Sequence, residues 1–235
     1  MAINKLSIVI ISYNEEEAIA EAVKSALFAD EVLLLDSGST DDTCLIAEQL
    51  GAKVIHQSWL GFGSQKNKAV SLAKNDWVFV LDSDERIIDA LKNEIMLLLE
   101  DPQNDGYFVP RLNNFWGKNI KTCGLYPDYS IRLFNRKKAK FNDVPVHESV
   151  QLKVNIGYLK NDMIHLAYKS IDDFITKQNR YSTLHHKKRD IIKAILNPYW
   201  TFFKLYILKK GFMDGWHGFV ISKLYAQYTF WKYVK

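Results

Sequence analysis

Short apolar runs alternate with segments of helical spacing through the first part of the chain. Each run ends at polar or glycine-containing residues, which is typical of a buried strand. The runs predict strands over 6–12, 31–35, 53–56 and 77–81. Between them, apolar residues recur every three or four positions and predict helices over 15–27, 41–50, 64–73 and 87–99. This alternation, with short connections, predicts a doubly wound, mostly parallel sheet with right-handed crossovers.

The rhythm changes after Pro102. Strands are predicted over 107–111, 130–134 and 150–154, joined by longer loops, which favours a mixed sheet. From Ile171 the pattern is helical, and Asn197-Pro198 predicts a helix start because proline is favoured at the first helical position. The predicted fold class is therefore α/β, a Rossmann-like, doubly wound mixed sheet over 1–168 with a helical extension over 169–235.

The distribution of charge adds a second feature. The 235-residue chain has a formal net charge of +4 and 48% hydrophobic residues, which fits a globular protein with a core. Residues 169–235 carry 13 Lys and Arg against 4 Asp and Glu, whereas residues 1–168 carry 18 against 23. The basic part also holds 15 of the 31 aromatic residues. This asymmetry predicts an anionic partner, which would be a membrane surface, a nucleic acid or an acidic substrate.

Hydropathy and cysteine content narrow the class of protein. No apolar stretch reaches the ~18 residues that a membrane-spanning helix needs. The first apolar run, which ends near Asn14, fits a strand better than a secretory signal. Cys44 and Cys123 are too few for a disulfide framework, so a reducing, cytosolic setting is predicted.

Two carboxylates directly follow the predicted strand 77–81. Asp82 and Asp84 would lie at the carboxyl edge of the sheet, where ligands of open α/β sheets bind. Two hard oxygen donors there can share a divalent cation, and the cation can hold a diphosphate. An acidic turn without a ligand is the alternative interpretation of this D-x-D triplet.

The first predicted strand ends at Ser12-Tyr13-Asn14-Glu15, at the same edge. Tyr13 could stack on a nucleotide base there. The alternative is an ordinary helix start, with Asn14 as the capping residue.

The second predicted strand ends at Asp36. Asp36 could accept a hydrogen bond from a base or a ribose hydroxyl, and Gly38 permits a tight turn near a ligand. Ser39 or Thr40 would cap the next helix. Three polar strand ends thus converge in one predicted crevice.

Residues 61–67 place two glycines before Lys66 at a predicted helix start, which suits an anionic phosphate. The chain has no G-x-x-x-x-G-K-[ST] loop and no G-x-G-x-x-G after the first strand. These absences argue against a P-loop NTPase and against NAD binding.

The order and spacing of these motifs resemble the family 2 glycosyltransferases of the GT-A fold. The resemblance rests on Ile10-Ile11-Ser12-Tyr13-Asn14-Glu15, Leu35-Asp36-Ser37-Gly38-Ser39-Thr40-Asp41 and Asp82-Ser83-Asp84. Later motifs are similar to one subgroup, the lipopolysaccharide core glucosyltransferases that act on the inner-core heptose. They are Gln65-Lys66-Asn67, Arg132-Leu133-Phe134, Val146-His147-Glu148 and His165 with Tyr168-Lys169-Ser170. The resemblance implies a nucleotide-sugar half over about 1–100 and an acceptor half over about 101–168.

The resemblance also implies a donor site for a UDP-sugar and a divalent metal, Mn²⁺ or Mg²⁺. In the family the last acid of D-x-D ligates the metal directly, which makes Asp84 the firmer ligand, with Asp82 beside it. His165 fits a late histidine that completes the metal site; a partly buried histidine after a strand is the alternative. The implied nucleotide-binding residues are Tyr13, Glu15, Asp36, Ser39, Lys66, Asn67 and Asp82.

Inverting transfer needs a carboxylate that deprotonates the acceptor hydroxyl as it attacks the anomeric carbon. Most relatives place this base in a Glu-Asp pair beyond the metal motif, and this chain has His147-Glu148 in the corresponding place. The resemblance therefore implies Glu148 as the base, with His147 orienting it or binding the acceptor. Asp128 is the alternative base.

The basic, aromatic extension has two interpretations. Its helices could lie in a membrane interface and attract anionic lipid. Alternatively, the aromatic side chains pack on the catalytic body and only the lysines contact water. Nucleic acid is not predicted as a partner, because no RNA- or DNA-binding signature accompanies the basic residues.

Together with the resemblance, the sequence predicts an inverting transferase that moves a hexose, glucose by resemblance, from a UDP-sugar to a lipopolysaccharide inner-core or other lipid-linked acceptor. The predicted location is peripheral, at the cytoplasmic face of the inner membrane. Two alternatives stay open. One is an enzyme of the same fold acting on a protein or other glycan, and the other is a non-catalytic module that binds a sugar nucleotide or glycolipid.

Overall fold

The computed structural model describes residues 4–141, 150–152, 155–184 and 187–235, and it confirms the α/β class. The strands are β1 (Leu6–Ser12), β2 (Glu31–Asp36), β3 (Lys53–His56), β4 (Trp77–Asp82), β5 (Glu85–Ile87), β6 (Gly106–Phe115), β7 (Lys118–Asn119), β8 (Asp128–Asn135), β9 (Ala139–Phe141), β10 (Val150–Leu152), β11 (Ile156–Tyr158) and β12 (Met163–Tyr168). The helices are α1 (Glu16–Ala26), α2 (Thr43–Gln49), α3 (Phe62–Leu72), α4 (Asp89–Leu98), α5 (Ile171–Leu184), α6 (Ile191–Phe203) and α7 (Gly215–Val234). A π-helical turn, Lys204–Leu208, and a 3₁₀ turn, Gly211–Asp214, lie between α6 and α7.

The main sheet is mixed, as predicted. Its strand order is β3-β2-β1-β4-β8-β6-β12-β5, and β7 and β11 pair with β6. β1 runs parallel to both β2 and β4, and β3 runs parallel to β2. β8 is antiparallel to β4, which ends the parallel run β3-β2-β1-β4, and β11 pairs parallel with β6.

Both faces of the parallel strands are covered, as a doubly wound sheet requires. Ile8 and Ile10 of β1 belong to a buried cluster with Ile19 of α1 and Ile95 of α4. Val9, the residue between them, belongs to a second cluster that includes residues of α3. Successive strand residues point to opposite faces, so burial on both faces explains the continuous apolar runs in the sequence.

The chain divides into two compact units. The first comprises the described residues of Met1–Arg111 and Tyr129–Ile164, and the second comprises those of Leu112–Asp128 and His165–Lys235. The division expected from composition, between 168 and 169, therefore differs from the division by contacts. Phe115 and Ile120 share a buried cluster with Phe174 and Ile221, which explains why residues 112–128 belong with the C-terminal helices.

The predicted helix start at Asn197-Pro198 is wrong. α6 begins at Ile191, and Asp190 caps it by accepting a hydrogen bond from the Lys193 amide at 3.0 Å. Pro198 consequently lies inside the helix, where its missing N–H interrupts the backbone ladder. No helix among the described residues is long and apolar enough to cross a membrane.

The prediction of one helix over 87–99 is also partly wrong. Glu85–Ile87 forms the short strand β5, and α4 starts only at Asp89. Ile87, the first residue of the predicted helix, instead ends β5 and is buried in the core, so the helix begins two residues later.

Candidate active site

The polar ends of β1, β2 and β4 meet at one edge of the sheet. Ser12 is the register partner of Asp36 on β2, and Ile11, one residue earlier, is the partner of Asp82 on β4. β1 lies between the other two strands, so the loops that follow all three are neighbours. The predicted convergence of three motifs in one crevice is confirmed.

Side-chain bonds join the loops after β1 and β2. The backbone N–H of Asn14 donates to Ser39 Oγ at 2.8 Å. The backbone N–H of Thr40 donates to the side-chain oxygen of Asn14, Oδ1, at 2.9 Å. The prediction that Asn14 caps α1 is therefore wrong, because its side chain serves the neighbouring loop and Glu15 holds the cap position. Tyr13 stays 57% exposed beside this junction, so its ring is open to a ligand.

The Asp36 carboxylate organises the second loop. Its Oδ1 accepts hydrogen bonds from the hydroxyls of Ser12 and Ser39, and its Oδ2 accepts from the amides of Gly38 and Ser39, both at 2.8 Å. Burial alone would raise the pKa of Asp36, but these hydrogen bonds outweigh it and lower the pKa. Gly38 permits the turn with a φ of 96°.

The prediction that Ser39 or Thr40 caps α2 is wrong. Asp42 is the N-cap residue of α2, and the Ser39 hydroxyl donates to Asp36 instead. Three donors of its own loop and the Ser12 hydroxyl of β1 already satisfy the Asp36 carboxylate. Contacts of Asp36 and Ser39 with a nucleotide stay predictions.

Asp82 lies between two buried cations. Lys66 Nζ is 3.0 Å from Asp82 Oδ1, and Arg132 Nη2 is 2.6 Å from Asp82 Oδ2. Arg132 also bonds Glu85, and the Glu85 carboxylate accepts from the Asp82 amide at 3.0 Å. We call this group, comprising Lys66, Asp82, Glu85 and Arg132, the Asp82 clamp.

The clamp fixes the charge state of Asp82. Burial works to raise the pKa of this carboxyl, but the charges of Arg132 and Lys66 hold the pKa far below its usual range. Because both oxygens of Asp82 face cations, the carboxylate is poorly suited to ligate a metal directly. Asp84 is half-buried two residues further on.

Arg86 anchors the turn that carries Asp84. Its guanidinium donates to the carbonyls of Ser83 at 2.7 Å and of Ala18 in α1 at 2.8 Å. Burial lowers the pKa of Arg86, and the charges of Asp84, Glu21 and Glu15 act in the opposite direction. The hard carboxylate oxygens of Asp84 fit Mg²⁺ or Mn²⁺ by donor type.

The side chains of α3 have mixed roles. Lys66 is part of the clamp, which places its ammonium group beside the D-x-D turn. Asn67 instead bonds the backbone of Phe141 in both directions, at 3.0 and 2.8 Å. Because this pairing occupies the Asn67 amide, its predicted contact with ribose or diphosphate stays a prediction.

Two predicted site residues belong to the second unit. His165 Nδ1 is 2.6 Å from Asn113 Oδ1, and the Asn113 amide nitrogen donates to the Leu125 carbonyl at 3.2 Å. Because the Asn113 amide nitrogen is the donor to Leu125, Asn113 Oδ1 is the acceptor and His165 Nδ1 the donor in their hydrogen bond. Asp128 begins β8 and is half-buried. His147 and Glu148 lie outside the described residues.

Sequence reasoning missed the roles of Glu85 and Arg132. A signal was available for Arg132, which stands in the run Ile131-Arg132-Leu133-Phe134. A charged residue flanked by buried strand positions needs a partner of opposite charge. The identity of that partner was not readable, because Asp82 is 50 residues away along the chain.

A different group of three possible metal ligands lies at the end of β2. Within the described ranges, the ligand atoms of Asp36, Cys44 and His56 are all within 4.8 Å of one another. Burial, with the nearby charge of Asp36, raises the pKa of the Cys44 thiol to about 11. The thiol is therefore protonated at neutral pH and the Asp36 oxygens are already bonded, so the group is poorly suited to a cation.

Comparison with known proteins decides the family. The model of "Glycosyl transferase family 2" matches residues 7–153, which contain all three strand-end motifs and the Asp82 clamp. The chain belongs to glycosyl transferase family 2. It is therefore a glycosyltransferase, and the resemblance identified from the motifs is confirmed at the level of the family.

Relatives extend this family assignment over nearly the whole chain. The "Uncharacterized glycosyltransferase" of Rickettsia felis is 34% identical, covering 98% of this chain and 89% of the relative. The "Lipopolysaccharide core biosynthesis glycosyltransferase LpsC" of Rhizobium meliloti is 28% identical, covering 96% and 89%. The structure of S. aureus TarS residues 1–349 in complex with UDP has a TM-score of 0.52 at 20% identity, covering 90% of this chain and 75% of that chain. This likeness and the family match confirm the GT-A fold.

Proposed function

We propose that this family 2 glycosyltransferase transfers a hexose from a UDP-sugar to a lipopolysaccharide inner-core or other lipid-linked acceptor. The transfer inverts the configuration at the anomeric carbon, and glucose is the proposed hexose. The convergence of Asp36, the Asp82 clamp and Asp84 at one sheet edge carries the donor half of the proposal. Support for the acceptor comes from the relative LpsC, whose name assigns it to lipopolysaccharide core biosynthesis. The later sequence motifs, which are similar to those of the inner-core glucosyltransferase subgroup, support the same class of acceptor.

The nucleoside half of the donor would bind at the loops after β1 and β2. Tyr13 is the exposed aromatic ring there and would stack on the base. Glu15 and Asp36 would contact the nucleoside, with Asp36 and Ser39 keeping the loop in shape through their mutual bonds. Preformed loops of this kind lower the ordering cost of binding.

The diphosphate would bind beside the D-x-D turn. A divalent cation bound there would neutralise the developing charge on the leaving UDP. Asp84 is the proposed direct ligand, and His165 as a further ligand stays a prediction from the sequence. Asp82 would act beside the metal, through water or on the ribose, because Lys66 and Arg132 already balance its charge.

The acceptor hydroxyl oxygen would form a bond to the anomeric carbon as the bond from that carbon to the UDP oxygen breaks. The hydroxyl proton would pass to a carboxylate. Glu148 is the proposed base with His147 as its neighbour, and Asp128 is the alternative. No nucleophilic side chain is needed in this direct displacement.

The proposed location is peripheral, at the cytoplasmic face of the inner membrane. A lipid-linked acceptor and the basic residues of the second unit both support it. The basic segment would bring the catalytic site to the surface that carries its acceptor.

A panel of UDP-sugars tests the donor proposal. The full chain would be incubated with UDP-glucose, UDP-galactose and UDP-N-acetylglucosamine in Mn²⁺ or Mg²⁺, with and without a heptose-containing core oligosaccharide. We expect UDP release to be fastest with UDP-glucose and to increase when the oligosaccharide is present.

Other outcomes select the alternatives. Turnover that needs a protein or a different glycan would replace the acceptor class but keep the enzyme. Thermal stabilisation by UDP-sugars without any turnover would identify a binding module instead.

A further inference from the structure

The second unit exposes a long apolar stripe on α6. Ile191, Ile192 and Tyr199 are 80%, 70% and 74% exposed, respectively. The stripe follows helical spacing and continues into the π-helical turn. Its members, each more than a third exposed, are Ile191, Ile192, Ile195, Leu196, Tyr199, Trp200, Phe203 and Ile207.

The stripe is not the packing face of α6. The opposite side of the helix lies on α7, where Ala194 is buried and Thr201 Oγ1 is 3.2 Å from Thr229 Oγ1. Elsewhere in the unit, aromatic residues do form a core, because the Phe174 ring lies 5.2 Å from the Tyr225 ring. The interpretation that aromatic side chains pack in a core therefore holds for α5 and α7 but does not account for the exposed side of α6.

Such a surface is unusual on a protein that stays in water. Single exposed apolar residues are common, but contiguous patches mark sites for a partner or a membrane. The apolar surface also continues into a groove between α6 and α7, lined in part by Ile195, Tyr199, Phe202, Phe219 and Phe230. Lys223 stands among these residues, so a cationic group borders the groove.

Cations flank the stripe at both ends. Lys187, Lys188 and Arg189 precede α6, and Lys204, Lys209 and Lys210 follow it; all six are exposed. Asp190 and Asp214 are the acids between 187 and 223. Both face lysines, since Asp190 Oδ2 is 3.0 Å from Lys193 Nζ and Asp214 Oδ1 is 3.4 Å from Lys118 Nζ.

We propose that the α6 stripe lies in the interface of an anionic lipid bilayer, with its flanking lysines at the headgroups. The pattern of one apolar face with Trp and Tyr, bordered by Lys and Arg, is that of an in-plane interfacial helix. A second copy of the chain fits less well, because protein interfaces are depleted in lysine and this surface would place like charges together. The stripe would be the surface through which the protein binds the membrane at the proposed location, and this binding does not depend on the transfer reaction.

Vesicle flotation of the full chain tests the proposal. Wild type should float with vesicles of phosphatidylcholine and phosphatidylglycerol. A variant with Ile192→Gln, Leu196→Gln and Trp200→Gln should partition about 100-fold more weakly, because three large apolar side chains no longer leave water. Lys188→Gln with Lys204→Gln should weaken partitioning roughly 30-fold on these vesicles and have little effect on phosphatidylcholine alone.

A matched control separates position from hydrophobicity. Leu97 on α4 is also 70% exposed, and Leu97→Gln should leave flotation unchanged. Circular dichroism checks that each variant is folded; the substituted side chains are exposed, so folding should survive. Equal flotation of wild type and the triple variant, or no flotation of wild type, would overturn the proposal. If wild type is a dimer that does not bind vesicles and the triple variant is a monomer, the stripe is instead an interface with a second copy of the chain.

Discussion

Substituting Arg132 by Met tests whether the Asp82 clamp is an electrostatic unit. The guanidinium is buried and bonds both Asp82 and Glu85, so its removal leaves two buried carboxylates short of a cation. Breaking a buried pair from one side typically costs about 3–5 kcal/mol. Here Lys66 stays on Asp82, and Arg111 Nη1 stays 3.5 Å from Glu85, so we expect the lower end, about 3 kcal/mol.

Urea unfolding at neutral pH measures this cost against a matched control. Lys137→Met also breaks a 2.6 Å ion pair, but Lys137 and Asp76 are 69% and 44% exposed, so about 1 kcal/mol or less is expected. If Arg132→Met costs no more than the control, the clamp does not stabilise the fold as argued.

The pH dependence gives a second test of the same variant. The folded-state pKa of Asp82 is lowered, so its stabilising contribution is present above the unfolded value of about 3.9 and is lost as the pH falls below it. The difference in unfolding free energy between wild type and Arg132→Met should therefore be full at pH 7 and shrink below about pH 4. A difference that grows with acid would contradict this sign.

Three further substitutions test the neighbouring parts of the site. Asp36→Asn should cost about 1–3 kcal/mol of unfolding free energy in urea, because one carboxylate oxygen is replaced by an NH₂ group that faces other donors. The same substitution should weaken UDP binding in calorimetry. Unchanged stability and unchanged UDP binding would reject the roles of Asp36 in the loop and in nucleotide binding. Gly38→Ala should cost only about 1–2 kcal/mol, since φ is 96° but no atom lies within 4 Å of the added Cβ, and a larger loss would mean an unseen clash. Glu148→Gln should abolish turnover and keep UDP binding while Asp128→Asn stays active, and the reverse result would move the base to Asp128.

The parallel half of the fold was predictable from the sequence. The apolar runs that become β1, β2 and β4 are buried on both faces, so their pattern does not depend on distant detail. β3 has the predicted bounds, Lys53–His56. Local apolar character alone therefore located the strands whose ends build the site.

The errors arose where a distant residue decides the local structure. Asn14 has the sequence of a helix cap, but its side-chain oxygen accepts from the Thr40 amide. Pro198 has the sequence of a helix start, but Asp190 begins that helix two turns earlier. The clamp was not readable for the same reason, since Arg132 finds its carboxylates only after β4 and β8 pair.

The role of Asp84 as the metal ligand is the central part of the proposed UDP-sugar transfer. One measurement tests it directly, namely UDP release from UDP-glucose with Mn²⁺, compared for wild type, Asp84→Asn and wild type with a chelator. We expect turnover in the first sample alone, while circular dichroism shows that the variant is folded. Full turnover by folded Asp84→Asn, or by wild type in chelator, would show that transfer does not need a metal bound at Asp84.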